Sequence, residues 1–316
     1  MRFARGLAAA LVLCTTAAAG CGLGGGEDEG EVELTVTRDY GGELMHQTSD
    51  SIRESDTVMR VLDRNADLTT RYGGGFVQSI DGLAGSTSGG RRSDWFFYVN
   101  GIESPTGSAE YDPSDGDRIW WDYRDWTAAM RAPAVVGSWP EPFMSGFQGT
   151  HWSTTVECEA RSEACRTVED RLNSARIATM PPTVVERSGD QTFSREITRI
   201  DGIRVVVGRW ASLATDPLVD VLAEPPSESG VFARFVGTRR PLLEVLNQEG
   251  QPAGSIGKGG GLIAALRPGD GPPTWVVTGT DAKGVAAAAN LIGDQLRNHY
   301  AVATQPGAGP IGVPVP

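Results

Sequence analysis

The chain has 316 residues, with 28 lysines and arginines against 40 aspartates and glutamates, and a formal net charge of −12. That is more chain than one small core needs, so two folded units are expected. The acidic balance argues against a nucleic-acid partner and against a broad basic face for anionic lipid.

Residues 1–20 divide into the three parts of a secretory signal: Arg2 and Arg5, a short apolar stretch around Leu11-Val12-Leu13, and small residues from Ala17 to Gly20. The apolar part is too short to serve as a membrane span. A small residue directly before Cys21 at the end of such a stretch resembles the lipobox of bacterial lipoproteins. The resemblance implies a diacylglyceryl thioether on Cys21, cleavage before it, and an acylated new N-terminus. It places the protein on the outer face of the cytoplasmic membrane, with membrane lipid as its first partner. An ordinary signal peptide, cut after Ala17-Ala18-Ala19, is the alternative. Residues 21–31 add a Gly/Glu/Asp-rich tether, of the kind that lets a folded body stand off a membrane.

Of the four cysteines, Cys14 leaves with the signal and Cys21 takes the lipid. Cys158 and Cys165 remain, and an even remainder in an oxidising compartment points to a disulfide. Metal binding is the rival, but a lone pair without a nearby histidine makes a poor zinc site. No stretch after Cys21 is long and apolar enough for a transmembrane helix.

Residues 32–126 form the first expected unit. Val32 to Thr37 alternates apolar and polar residues, as a half-buried strand should. A helix follows at 56–67, with Val58, Val61, Leu62 and Ala66 on one face and Asp56 or Ser55 as N-cap. Phe76 to Gly82 is a strand ending in a turn, and the Gly/Ser/Thr-rich loop 84–93 is mobile by composition. Two aromatic strands close the unit, Asp94 to Gly101 and Asp117 to Tyr123. Alternation sets Ile119, Trp121 and Tyr123 opposite Arg118, Trp120, Asp122 and Arg124. The first of these faces is assigned to the core. The second, with Tyr98, leaves Trp120 and Trp126 exposed beside Arg118 and Arg124, a surface suited to a ligand or partner. An interdomain seam is the equal alternative.

The segments "SIDGL", "SDWFFYVNGI" and "SDGDRIWWDY", in this order, resemble the transcobalamin-like C-terminal domain family over residues 32–126. The resemblance implies a β-grasp fold and, by extension, a vitamin or corrinoid-like ligand.

Residues 127–304 form the second expected unit, an α/β domain with a mixed sheet, so the fold class is α+β overall. A strand at Thr154 to Glu157 runs to Cys158, and a helix at 162–174 follows. Ile203–Gly208, Gly230–Phe235, Leu242–Leu246 and Gly261–Leu266 are further strands. Thr274–Gly279 is a buried strand feeding a helix from Asp281 to His299, striped by Val285, Ala289, Ile292 and Leu296. The Pro/Gly-rich end, 305–316, is expected to be a disordered tail.

Catalytic chemistry finds little support. Gly85 to Gly89 has Thr87 where a nucleophile elbow needs serine. The glycine run around Lys258 lacks the spacing of a phosphate-binding Walker loop. The three histidines, His46, His151 and His299, are far apart in sequence. The expectation is a non-enzymatic lipoprotein with no cofactor and no metal, binding a small molecule or a partner through the aromatic sheet, with delivery to a membrane transporter as one use. An envelope scaffold without a small ligand is the first rival, and an enzyme with its site in residues 133–304 the second.

Overall fold

A computed structural model describes residues 28–184 and 201–316; the signal, Cys21 and most of the tether lie outside the described residues. β1 (Asp28–Arg38) and β2 (Glu43–Arg53) make an antiparallel hairpin, followed by α1 (Val58–Asn65). β3 (Leu68–Arg71), β4 (Phe76–Ile80) and β5 (Leu83–Ala84) form a small antiparallel sheet. Then come β6 (Ser86–Ser88), β7 (Arg91–Val99), β8 (Ile102–Glu103) and β9 (Arg118–Asp125). The main sheet runs β2-β1-β9-β7-β6, and only its central β1–β9 pair is parallel. Val32, Leu34 and Val36 of β1, with Ile119 and Trp121 of β9, pack against Val58, Val61 and Leu62 of α1 in one core. That is the face alternation assigns to the interior.

The C-terminal unit begins with β10 (Thr154–Cys158), α2 (Glu163–Ser174), β11 (Thr179–Val184), β12 (Ile203–Arg209) and the single turn α3 (Trp210–Leu213). The single turn α4 (Pro226–Ser229) leads into β13 (Ala233–Val236), β14 (Leu242–Leu246) and β15 (Pro252–Ile256), an antiparallel three-stranded sheet. β16 (Gly261–Leu266), β17 (Thr274–Gly279), α5 (Ala282–Asn290), β18 (Ala301–Thr304) and β19 (Ile311–Val313) complete the chain. The large sheet runs β11-β10-β12-β17-β16-β18-β19; its first three ladders are parallel and its last three antiparallel. Val205, Val207, Val277 and Ile263 face α2 and α5 on one side. Val206, Val276, Leu262 and Ala264 face the other, where Trp210 and Phe235 stack with ring centroids 4.6 Å apart. The class is α+β with mixed sheets. Cys158 and Cys165 are joined in a disulfide that ties the end of β10 to the first turn of α2.

Several expectations need correction. The first helix starts at Val58 because Thr57, not Asp56 or Ser55, caps it by accepting from the Arg60 N–H. Asp56 instead accepts from the Arg53 N–H and pairs with Arg64 at 2.8 Å. The 84–93 loop is not open: β6 and β7 pair across Gly89-Gly90, whose positive φ angles suit a tight hairpin turn. The strand expected from Gly230 begins at Ala233, since Gly230 takes the left-handed conformation that closes α4. The last helix stops at Asn290, and a short 3₁₀ turn after Gly293 keeps Leu296 buried. The tail is not disordered either: β19 pairs with β18, Val313 is buried, and the Val315 N–H bonds to the Leu246 carbonyl. Glycine and proline content hid a strand whose partner lies in the large sheet.

Candidate functional site

The face of β7 and β9 that bears Tyr98, Trp120, Asp122 and Arg124 is closed. Trp120 is only 2 % exposed, and Tyr98, Asp122 and Arg124 are all 0 % exposed. Trp120, Tyr98 and Tyr40 share one core with Val206, Phe232 and Tyr300 of the C-terminal unit. The Tyr300 ring lies edge-on to Trp120, Tyr98 and Tyr40, at centroid distances of 5.4, 5.6 and 5.0 Å. Of the two readings of this face, the structure takes the seam, and the expectation that Trp120 stays exposed is overturned. The area was too large for solvent once a second apolar sheet was available to cover it.

The seam carries charge at its centre. Asp122 Oδ1 accepts from the Thr37 hydroxyl at 2.6 Å and the Gly41 N–H at 3.1 Å, and Oδ2 accepts from the Tyr300 hydroxyl at 2.9 Å. The Trp120 indole N–H donates to Thr37 Oγ1 at 2.7 Å. Arg124 lies 3.7 Å over the Phe96 ring and donates to the carbonyls of Ala129 and Met130, fixing the chain as it leaves β9. Burial pushes the Asp122 carboxyl up to about 6, against the hydrogen bonds from Thr37, Gly41 and Tyr300 that favour its charged form. The connector then crosses the seam at Gly137, where a Cβ would lie 2.7 Å from the Trp120 ring and 2.8 Å from the His299 backbone. Only glycine fits so close an approach.

Arg118 and Trp126 do not join this cluster or each other. Arg118 lines a shallow, open cleft at the edge of the seam with Glu33, Thr35, Trp120, Ser138 and Arg297. Glu33 fills much of its polar capacity, accepting from Arg297 and Gln47 at 2.6 Å each and standing 3.5 Å from Arg118. Trp126, half-buried, sits under Arg92, whose guanidinium is 3.9 Å from the ring.

The aromatic surface that does reach solvent is elsewhere. β3 and β4 are joined by Tyr72-Gly73-Gly74-Gly75, with Tyr72 86 % and Phe76 41 % exposed. Their rings meet edge-on at 6.2 Å. Tyr72 holds φ +54°, a left-handed backbone that costs a bulky residue free energy and that a glycine would adopt freely. Asp94, half-buried nearby, has its carboxyl pushed up by burial and pulled back by the Trp95 N–H and the Arg71 charge. Sequence reading passed over Tyr72 because a single aromatic among glycines carries no periodic signal.

Other candidates resolve into structural roles. The turn at Gly257–Gly260 is strapped to α5: Thr280 Oγ1 donates to the Gly257 carbonyl, and the Gly259 N–H donates to Asp281. Asp281 caps α5 through the Lys283 and Gly284 N–H groups. Among the described residues the one group with the makings of a metal site is Cys158, Cys165 and Glu169, and its two sulfurs are spent on the disulfide.

Comparison with known proteins adds a family match for part of the chain. Residues 55–125 match a family described as a domain of unknown function, DUF4430, which covers less than a quarter of the sequence. No curated protein matches. Among solved structures, a provisionally assigned metal-binding protein from Ruminococcus gnavus ATCC 29149 is similar at 16% identity and TM-score 0.24, over 31% of this chain and 98% of that one. Haptocorrin in complex with Cbi is similar at 14% identity and TM-score 0.25, over 31% of this chain and 26% of its own. This chain thus spans about a quarter of haptocorrin's length.

Two outcomes follow from the seam. Trp120→Ala should destabilise the fold by about 3–5 kcal/mol, read by urea unfolding, because a large cavity opens and the Thr37 hydroxyl loses its donor; a change under about 1 kcal/mol would mean the indole is not packed as described. For Asp122 the folded carboxyl titrates near 6, above its unfolded value of about 3.9. Its contribution to stability is then fully present below about pH 3.9 and lost as pH rises through about 6. Asp122→Asn should flatten the stability profile between those two values relative to the parent, measured by urea unfolding across the range.

Proposed function

We propose that this chain is a non-enzymatic, extracytoplasmic binding protein, anchored through Cys21, whose N-terminal unit is a transcobalamin-like β-grasp module that meets its ligand or partner at the β3–β4 hairpin. The observation that carries the reading is the Tyr72–Phe76 pair: two aromatic rings in solvent that meet edge-on, one of them on a left-handed backbone. Exposed rings on a short, glycine-flanked support offer stacking area at little conformational cost. The central parallel pair, the hairpin and the helix packed on one face support the β-grasp assignment. The broad sheet face is not the binding surface, since the C-terminal unit occupies it.

The first test is a calorimetric unfolding scan against vitamins, corrinoids, sugars and peptides. A true ligand at 100 times its Kd should stabilise by about 2.7 kcal/mol. Tyr72→Ala combined with Phe76→Ala should abolish that shift without changing the ligand-free transition; a shift that survives the double variant would move the site off the hairpin. A flat result across the panel would favour the scaffold, with cross-linking in membranes as the next step. Separately, Cys21→Ser should release the protein from the membrane fraction, and retention by that variant would sink the lipid anchor.

A further inference from the structure

The β13–β14 hairpin ends in a second exposed tip of different chemistry. Val236 and Leu242 are direct cross-strand partners, and they are 42 % and 43 % exposed. Between them Gly237 to Arg240 are exposed without interruption, putting Arg239 and Arg240 at the extremity. β15 runs beside β14 with Ile256 opposite Leu243, so the next residue, Gly257, lies against Leu242: a Cβ there would touch its side chain at 3.6 Å. The exposed turn at Lys258 therefore stands alongside the hairpin tip. The strap from the Gly259 N–H to Asp281, and from Asp281 to the Lys283 N–H, draws Lys283 to the same edge. The only two lysines in the chain, 25 positions apart, thus lie on segments at the same edge as the two arginines.

Arg204, Arg209 and Arg234 each hold a carboxylate within 2.7 Å. Arg239, Arg240, Lys258 and Lys283 have no carboxylate partner among the described residues. In a chain with 40 acidic residues, four cations without an ion pair lie around an exposed apolar pair, with Asp281, held by backbone N–H groups, among them. Net charge acts over the whole surface, whereas a tip responds to what lies within a Debye length, about 8–10 Å at physiological salt.

We propose that this tip docks on an anionic lipid surface. Arg239, Arg240, Lys258 and Lys283 would meet the headgroup phosphates, while Val236 and Leu242 enter the boundary with the acyl chains. An apolar pair ringed by cations fits that layered partner, in which negative charge lies just above hydrocarbon. The inference stands apart from the hairpin at Tyr72 and from the lipid on Cys21.

The test is co-sedimentation of the full chain with vesicles of phosphatidylcholine alone and of phosphatidylcholine with 30% phosphatidylglycerol. Parent and variants all carry Cys21→Ser, so no acyl chain on that residue adds to the binding. The anionic vesicles should bind the parent more tightly. Arg239→Glu with Arg240→Glu should cut that preference roughly tenfold or more, on the scale of cations near a charged leaflet. Val236→Ser with Leu242→Ser should weaken binding to the same vesicles at unchanged salt dependence. All four positions are exposed, so unaltered thermal transitions would show that the variants fold. Equal binding by parent and charge-reversed protein would overturn the proposal. Retention of the parent, but not the variant, on immobilised polyglutamate with no vesicle effect would also overturn it, in favour of an acidic polypeptide.

Discussion

β9 is buried on both faces, and the rest of the molecule is arranged to make that tolerable. Trp121 points into the core under α1, while Trp120, Asp122 and Arg124 point into the seam against the C-terminal unit. Water cannot solvate the two charges there, so the protein must supply their partners. It draws them from Thr37 on β1, the Gly41 N–H at the first hairpin turn, Tyr300 from the far end of the chain, and the carbonyls at Ala129 and Met130. Such a cluster contributes less to net stability than to uniqueness, because losing any partner strands a buried charge at a cost well above the gain from making the pair. The connector at Gly137 and the strand at Ala301 are held in register by the same requirement.

Closing that face takes its tryptophan and charged side chains out of solvent. A sheet surface rich in tryptophan and arginine has the composition of a binding site, yet here it holds two units together. Among the exposed parts are two hairpin tips of contrasting character, aromatic at Tyr72 and Phe76 and cationic-apolar around Arg239 and Leu242. Both project from turns that contain glycine, and neither is needed to complete a core. Free energy that a core residue would contribute to folding is available there for recognition.

The sequence was a good guide wherever a pattern is local. Alternation in β1 and β9 identified which residues face α1, the cysteine count anticipated the Cys158–Cys165 bridge, and Asp281 announced the start of α5. It was a poor guide where a segment depends on a distant partner. Pro/Gly-rich chain at 305–316 becomes a strand only because β18 offers an edge, and Pro181-Pro182 are accommodated in β11 because that strand lies at the sheet's margin. The cap falls to Thr57, and not to Asp56, because the Arg53 N–H and Arg64, about two turns along, take the Asp56 carboxylate.

From residue order alone came the class of the protein: an acidic α+β chain with an aromatic first unit and an oxidised cysteine pair. These properties follow from composition and from spacing within a few residues, which no fold can alter. Which side of β9 meets solvent was undecidable from the strand itself, because alternation defines two faces and says nothing of what covers the second. Tertiary packing settled that choice by bringing Tyr300 and the large sheet over Trp120. It also gathered Lys258, Lys283, Arg239 and Arg240 at one edge through a strand register and a helix cap, a proximity that no separation along the chain encodes.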